Sequence, residues 1–140
     1  HLTLDVKNVV QNVIDNLKAR FFPDMRYDEI FSRFNTVKQK GTFINIRIKN
    51  GQIAYNESEP FDKDIITGSV INYFLGRFKH HLLEIEVISS PKNVYVCGGG
   101  AQSIVWLKIL QENCRYNIIS SFNREAAIIG AAIIYKGKRR

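Results

Sequence analysis

Three consecutive glycines, Gly98, Gly99 and Gly100, are the residues of this sequence whose type and spacing best suit ligand chemistry. A β-prone run over residues 94–97 leads into them, and an amphipathic segment begins directly after them. Because glycine has no Cβ, such a turn can adopt positive φ and lets a flat or anionic group approach the backbone. The amides at the start of the next helix point outward and carry partial positive charge. The pattern predicts a ligand site where the strand ends.

The residues after the glycines predict a helix, a short strand and a second helix. Apolar side chains at helical spacing predict the first helix over 102–112, with Trp106 in the core. A strand is expected over 116–119, and a closing helix of small and apolar residues over 124–135. This order is typical of an α/β fold in which a ligand lies at the carboxyl end of the first strand.

The segment 94–135 resembles the C-terminal end of the FGGY family of carbohydrate kinases. The resemblance is carried by Gly-Gly-Gly-Ala-Gln-Ser at 98–103, Trp-Leu-Lys-Ile-Leu at 106–110 and Glu-Ala-Ala-Ile-Ile-Gly-Ala-Ala at 125–132. It implies part of a ribonuclease-H-like (actin-like ATPase) lobe, with a mixed sheet and packed helices. In that family the glycine turn forms part of the pocket for the adenosine end of ATP.

The resemblance implies nucleotide-binding residues and no catalytic residue in this chain. The residues it places against the nucleotide, the last two at the pocket edge, are Gly98, Gly99, Gly100, Ala101, Gln102 and Ser103. For Gln102 and Ser103, capping of the following helix is an equally good interpretation, and both roles can hold together. Glu125 falls on an acidic position of the family near the start of the last helix, where we interpret it as a charge favoured by the helix dipole.

The elements that the family uses around the γ-phosphate are not recognisable in the sequence. No acidic residue lies in an Asp-x-Gly or Gly-x-x-Asp setting, whereas phosphoryl transfer depends on metal and cationic groups around that phosphate. We therefore expect an excised C-terminal portion of a sugar kinase, or a natural half-protein, that binds ATP and is not catalytic alone. The Mg²⁺ ligands and the sugar substrate site are expected in a missing N-terminal lobe.

Three alternative functions stay open from the sequence. One is another actin-like-fold kinase, such as a pantothenate or acetate-type enzyme. The second is a non-enzymatic assembly module whose last helix and incomplete sheet pair with a partner chain or form a homo-oligomer. The third, nucleic-acid binding, is suggested by the formal charge of +7. It is not expected, because the cations are scattered and cluster only at the tail.

Composition predicts a single cytoplasmic domain over 1–140. The length of 140 residues and the hydrophobic share of 45% suffice for one core. No apolar run has the length of a membrane span, and we expect no membrane partner and no signal peptide. The 2 cysteines, Cys97 and Cys114, are too few for a disulfide framework and indicate a reducing compartment. His80 and His81 point in different directions on a helix, do not readily share one ligand, and are given no role.

The first half of the chain predicts helices around a hairpin. Helical spacing of apolar residues predicts helices over 3–19, 27–34 and 62–86. Alternating apolar residues predict strands over 42–48 and 53–55, joined by Asn50-Gly51 in a type I′ turn. Gly68 and Gly76 are candidate points of close contact between the long helix and its neighbours.

Overall fold

The computed structural model describes residues 2–55, 62–88, 93–97 and 103–121. They form α-helices together with two small sheets of two strands each. The chain divides into two compact units, His1–Leu75 and Gly76–Arg140, whose boundary falls inside one long helix. The predicted mixed α/β class is thereby confirmed.

The first unit opens with α1, which spans Leu2–Phe21. Val13, Ile14 and Leu17 are buried, each at most 1% exposed. Their three- and four-residue spacing is the pattern that predicted this helix. After a short turn the chain enters α2, Tyr27–Phe31, and then α3, Arg33–Lys40.

The single helix predicted over 27–34 is wrong, because two helices meet at Ser32. The Ser32 hydroxyl donates to the carbonyl oxygen of Glu29 at 2.6 Å, a local bond of the kind that competes with regular helix bonding. The second of these two helices, α3, extends beyond the predicted end at residue 34, because Val37 adds a buried side chain to it. It ends at Gly41, whose φ of 68° is left-handed and whose amide donates to the Val37 carbonyl oxygen at 3.0 Å.

A β-hairpin follows, made of β1 (Arg47–Lys49) and β2 (Gln52–Ala54) in antiparallel register. Asn50 and Gly51 form its two-residue loop, with φ values of 52° and 75°. Positive φ at both positions is what a type I′ turn requires. The predicted turn is confirmed.

The strand predicted over 42–48 is wrong in its first part, because residues 42–46 lie outside the β-ladder. The Ile44 amide donates to the Ser69 hydroxyl oxygen at 3.0 Å, and the Phe43 ring stacks on Phe34 with centroids 5.4 Å apart. Since Phe34 and Ser69 both belong to helices, the alternating apolar residues of this segment pack against helices instead of pairing with a strand.

The long helix α4 spans Lys63–Ile88 and confirms the prediction over 62–86. Within the first unit its buried side chains are Ile66, Val70, Ile71, Phe74 and Leu75. Gly68 lies against α3, where an added Cβ would be 2.6 Å from Val37 Cγ2. At Gly76 an added Cβ would meet nothing within 4 Å among the described residues. The predicted close contact is therefore confirmed for Gly68 and wrong for Gly76.

The second unit contains a strand, a helix and a strand: β3 (Asn93–Cys97), α5 (Ile104–Glu112) and β4 (Asn117–Ser121). The two strands are parallel, in a register that runs from Asn93 beside Asn117 to Cys97 beside Ser121. The strand-helix-strand order predicted after residue 94 is confirmed. The closing helix predicted over 124–135, including Glu125, lies outside the described residues.

Candidate functional site

The carboxyl ends of β3 and β4 form one edge of the parallel pair. Cys97 lies beside Ser121 at this edge, and the chain passes from Cys97 to Ser103 before α5 begins. Ligands of α/β sheets bind outside the carboxyl ends of parallel strands. The elements on both sides of the glycine turn are thus arranged as such a site requires. The predicted residues between them, Gly98, Gly99, Gly100, Ala101 and Gln102, lie outside the described residues.

Ser103 is the one predicted site residue that the structure describes, and it is the N-cap of α5. Its hydroxyl oxygen accepts a hydrogen bond from the Trp106 amide at 3.1 Å, and its carbonyl oxygen accepts one from the Leu107 amide at 3.1 Å. The residue is 2% exposed. The helix-capping interpretation is confirmed, and a contact between Ser103 and a ligand stays a prediction.

The buried face of α5 fixes the direction in which its first turn points. Trp106, Ile109 and Leu110 are all at most 5% exposed, which confirms the predicted core position of the tryptophan. Ile104, the first helical residue, is 71% exposed. It lies two residues before Trp106, which is about 160° away around an α-helix at about 100° per residue. This angular offset from Trp106 indicates from the sequence alone that Ile104 lies away from the core, although it was not part of the prediction for this helix.

Gln111 connects the end of α5 to the start of β4. Its amide nitrogen donates to the Tyr116 carbonyl oxygen at 2.8 Å, and its amide oxygen accepts from the Ile118 backbone amide at 2.9 Å. The Gln111 side chain thus forms hydrogen bonds with two backbone groups at the start of β4. We interpret Gln111 as a residue that positions the amino end of β4, and the sequence carried no signal for it.

Arg115 links the turn before β4 to the last part of α4 within the second unit. Its guanidinium donates to Glu86 Oε2 and to the Tyr116 hydroxyl oxygen, each at 3.1 Å. The pKa of Arg115 is raised, first by the hydrogen bond to Tyr116 and then by the charge of Glu86. The guanidinium therefore stays charged throughout the range in which the protein folds.

His80 and His81 both lie near the carboxylate of Glu84. Glu84 Oε1 is 3.0 Å from His80 Nε2 and 3.9 Å from His81 Nδ1. The contact is possible because Glu84 follows the two histidines by four and three residues, spacings that face each other on a helix. Within the described ranges, no three His, Cys, Asp or Glu side chains are grouped so that they could hold a metal ion.

Among the helices of the described segments, none has both the length and the apolar character needed to cross a bilayer.

Comparison of the chain with models of protein families, with curated proteins and with solved structures finds no match. Function is therefore inferred from the motifs and from the elements that hold them.

Proposed function

We propose that the chain is the adenosine- and ATP-binding C-terminal part of an ATP-dependent carbohydrate kinase that resembles the FGGY family. The observation that carries the proposal is the parallel pair of β3 and β4, which brackets the Gly98–Ser103 motif and ends at the edge where such a turn receives a ligand. The proposal includes a ribonuclease-H-like (actin-like ATPase) lobe, in a cytoplasmic enzyme that transfers a phosphoryl group from ATP to a sugar hydroxyl.

The proposed contacts follow from the groups available at this edge. Three glycines without Cβ atoms let the adenosine end of ATP lie against backbone. The first amides of α5 have no acceptor within the helix, so Ile104 and Val105 can offer N–H groups to an anionic or polar ligand. The exposed side chain of Ile104 adds apolar surface for a flat ring.

Mg²⁺, the γ-phosphate contacts and the base for the sugar hydroxyl are assigned to segments outside this chain. Phosphoryl transfer consists mainly of positioning and charge neutralisation at the γ-phosphate, and the residues proposed here hold the opposite end of the nucleotide. We therefore expect the chain alone to bind ATP without transferring its phosphoryl group.

The test is an NMR titration of the chain with ATP, ADP and adenosine, following the amides of residues 98–103. We expect localised shifts with all three ligands, because the adenosine end is common to them. The variant Gly99→Val should abolish these shifts by adding a branched side chain to the turn. The variant Gly76→Ala, at a glycine with open space around it, is the matched control and should leave them unchanged.

Two results would contradict the proposal. Shifts with ATP and none with adenosine at millimolar ligand would show a phosphate site without an adenosine pocket. Equal shifts in wild type and Gly99→Val would show that the ligand does not depend on the glycine turn. ATP-dependent phosphorylation of a sugar by the chain alone would refute the separate statement that it is not catalytic.

A second candidate, a non-enzymatic assembly module, is favoured by apolar side chains at the end of α4. Leu83, Val87 and Ile88 are 62%, 87% and 64% exposed. A module of this kind would associate without showing nucleotide-dependent shifts at residues 98–103, and the absence of those shifts separates it from the kinase proposal. The alternative of a pantothenate or acetate-type kinase shares the nucleotide site and is separated by the phosphoryl acceptor alone.

A further inference from the structure

The last half of α4, which belongs to the second unit, presents an apolar stripe to solvent. Leu83 and Val87 are exposed on one face of the helix, and Ile88 is exposed beside them. Gly76 and His80 lie on the same face of the helix as Leu83 and Val87, since both are exposed and the steps between the four positions are four, three and four residues. Such steps place side chains on a single face. Contiguous exposed apolar surface is typical of interaction sites.

Charged residues flank this stripe in a definite order. The basic residues Arg77 and Lys79 lie near its N-terminal end, and the acidic residues Glu84 and Glu86 lie near its C-terminal end. At about 100° per residue, Arg77 and Glu84 fall on one flank of the stripe, and Lys79 and Glu86 fall on the other. Each flank is therefore basic at one end and acidic at the other.

We propose that residues 76–88 of α4 pair in antiparallel orientation with the same residues of a second copy of this chain. A two-fold axis perpendicular to the helices brings each flank beside the same flank of the second copy with its direction reversed. Arg77 then faces Glu84 of the second copy, and Lys79 faces Glu86 of the second copy. With an axis level with the peptide between His81 and Leu82, the two partners of each pair are offset along the helix by two residues, or about 3 Å, which long side chains can span.

The same axis brings the apolar stripe of each copy into register with the other. It places Val87 level with Gly76 of the second copy, where the missing side chain leaves room for the branched one. It also places Leu83 level with His80 of the second copy. The space around Gly76, where an added Cβ meets nothing within 4 Å in the described part of the chain, is consistent with a surface that receives a neighbour's side chain.

The charge order identifies a second copy as the occupant of this face. In a two-fold pair, the same flank of the helix supplies the cation and the anion of each ion pair, so it must be basic at one end and acidic at the other. Both flanks of this face have that order of charges. Glu84 and Glu86 already contact His80 and Arg115, but those partners are 64% and 73% exposed. Exposed ion pairs contribute little, so each carboxylate can also accept a cation from the second copy.

The interface is short, and its strength follows from its length. Thirteen residues of helix, counted from 76 to 88, give about 20 Å of contact, which is less than a stable dimer of standard size uses. We therefore expect self-association in the micromolar to millimolar range. It does not depend on the proposed nucleotide site, and its failure would leave that proposal untouched.

The first test is sedimentation equilibrium of the chain without nucleotide, from low micromolar to millimolar concentration. We expect the wild type to form a dimer as its concentration rises. Val87→Glu should stay monomeric over the same range, because it places a carboxylate against the apolar stripe. Ile104→Glu is the control, since Ile104 is a β-branched apolar residue that is 71% exposed on a different helix of the second unit. It should dimerise like the wild type. Circular dichroism checks that each variant is folded.

The second test reverses the charges of one flank. Arg77→Glu places like charges together at two symmetry-related points and should weaken the dimer about tenfold. The double variant Arg77→Glu with Glu84→Arg exchanges the two charges and should restore the wild-type association. A wild-type chain that is monomeric at millimolar concentration overturns the proposal. So does dimerisation of Val87→Glu like the wild type, or a double variant as weak as Arg77→Glu.

Discussion

The two compact units differ in where they keep their apolar side chains. In the first unit, large side chains from four helices are buried together. The residues that are at most 2% exposed include Val13, Ile14, Leu17, Ile30, Phe31, Val37, Val70 and Ile71. In the described part of the second unit, the buried apolar side chains are Leu82, Trp106, Ile109, Leu110 and Tyr116, while Leu83, Val87, Ile88 and Ile104 are more than half exposed. Among the described residues, the large apolar side chains that are more than half exposed thus all belong to the second unit.

Both proposals therefore fall in the second unit. The proposed nucleotide site uses the edge of β3 and β4 and the exposed Ile104 in the first turn of α5. The self-pairing surface uses the exposed end of α4. The helix α4 belongs to both units, so a matched substitution in its two halves tests the difference between them directly.

The largest expected difference is between Gly68→Ala and Gly76→Ala. At Gly68 the added Cβ would lie 2.6 Å from Val37 Cγ2 and 2.9 Å from the Arg33 carbonyl oxygen. Overpacking of this kind should lower the free energy of unfolding by about 1–3 kcal/mol. At Gly76 the added Cβ meets no atom of the described residues within 4 Å, and the substitution should raise the free energy of unfolding by about 0.5–1 kcal/mol, because alanine is the better helix former. Urea unfolding of both variants measures the two changes.

A double variant shows whether the loss at Gly68 comes from contact with Val37. Val37→Ala removes the nearest atom, so Gly68→Ala should be less destabilising in that background than in the wild type. Equal changes in stability for Gly68→Ala and Gly76→Ala would mean that the two halves of α4 are packed alike, and the contrast between the units would not hold at this helix.

The next effect concerns the cap of α5, the most buried polar group beside the candidate site. Ser103→Ala removes the hydroxyl acceptor of the Trp106 amide and should lower the free energy of unfolding by about 1 kcal/mol. Ser103→Thr keeps an oxygen at the same position and should lose less. Thermal unfolding with and without adenosine measures both. Unchanged stability of Ser103→Ala would contradict the capping role.

Local signals in the sequence were sufficient for the elements whose causes are local. The helical spacing of Val13, Ile14 and Leu17 predicts α1, and Asn50-Gly51 predicts the hairpin turn because few other dipeptides accept two positive φ values. Residues 42–46 show the limit of such signals. Their alternation describes which side chains are buried, but it does not show that the residues packed against them belong to the helices α3 and α4.

The candidate site also contains some features that could be predicted from the sequence and others that could not. The order of strand, glycine turn, helix and strand could be predicted, and so could a cap at Ser103, because each depends on residues close together in the chain. The role of Gln111 could not, since it depends on two backbone groups of a strand that must already be in place. Likewise, the exposed end of α4 appears only when burial is known, because Leu83, Val87 and Ile88 look like core residues in the sequence.

The smallest expected effect is a pH dependence in the first unit. The Tyr27 hydroxyl donates to Asp15 Oδ1 at 2.5 Å, and the pKa of Tyr27 is raised from 10.0, first by this hydrogen bond and then by burial. The folded chain thus keeps a proton that the unfolded chain loses above about pH 10. The stabilisation is fully present below that pH and is lost as the pH rises through the folded pKa.

Tyr27→Phe removes both the hydrogen bond and this pH dependence. Because Tyr27 is 40% exposed, the loss near neutral pH should be modest, about 0.5–1 kcal/mol in the free energy of unfolding. Between pH 9 and 11 the wild type should lose stability more steeply than the variant, as urea unfolding over that range measures. Parallel curves for the two proteins would mean that the bond does not persist in solution. In that case the polar contacts at the junction of α1 with α2 would come from Lys18, whose ammonium group donates to the carbonyl oxygens of Pro23 and Met25.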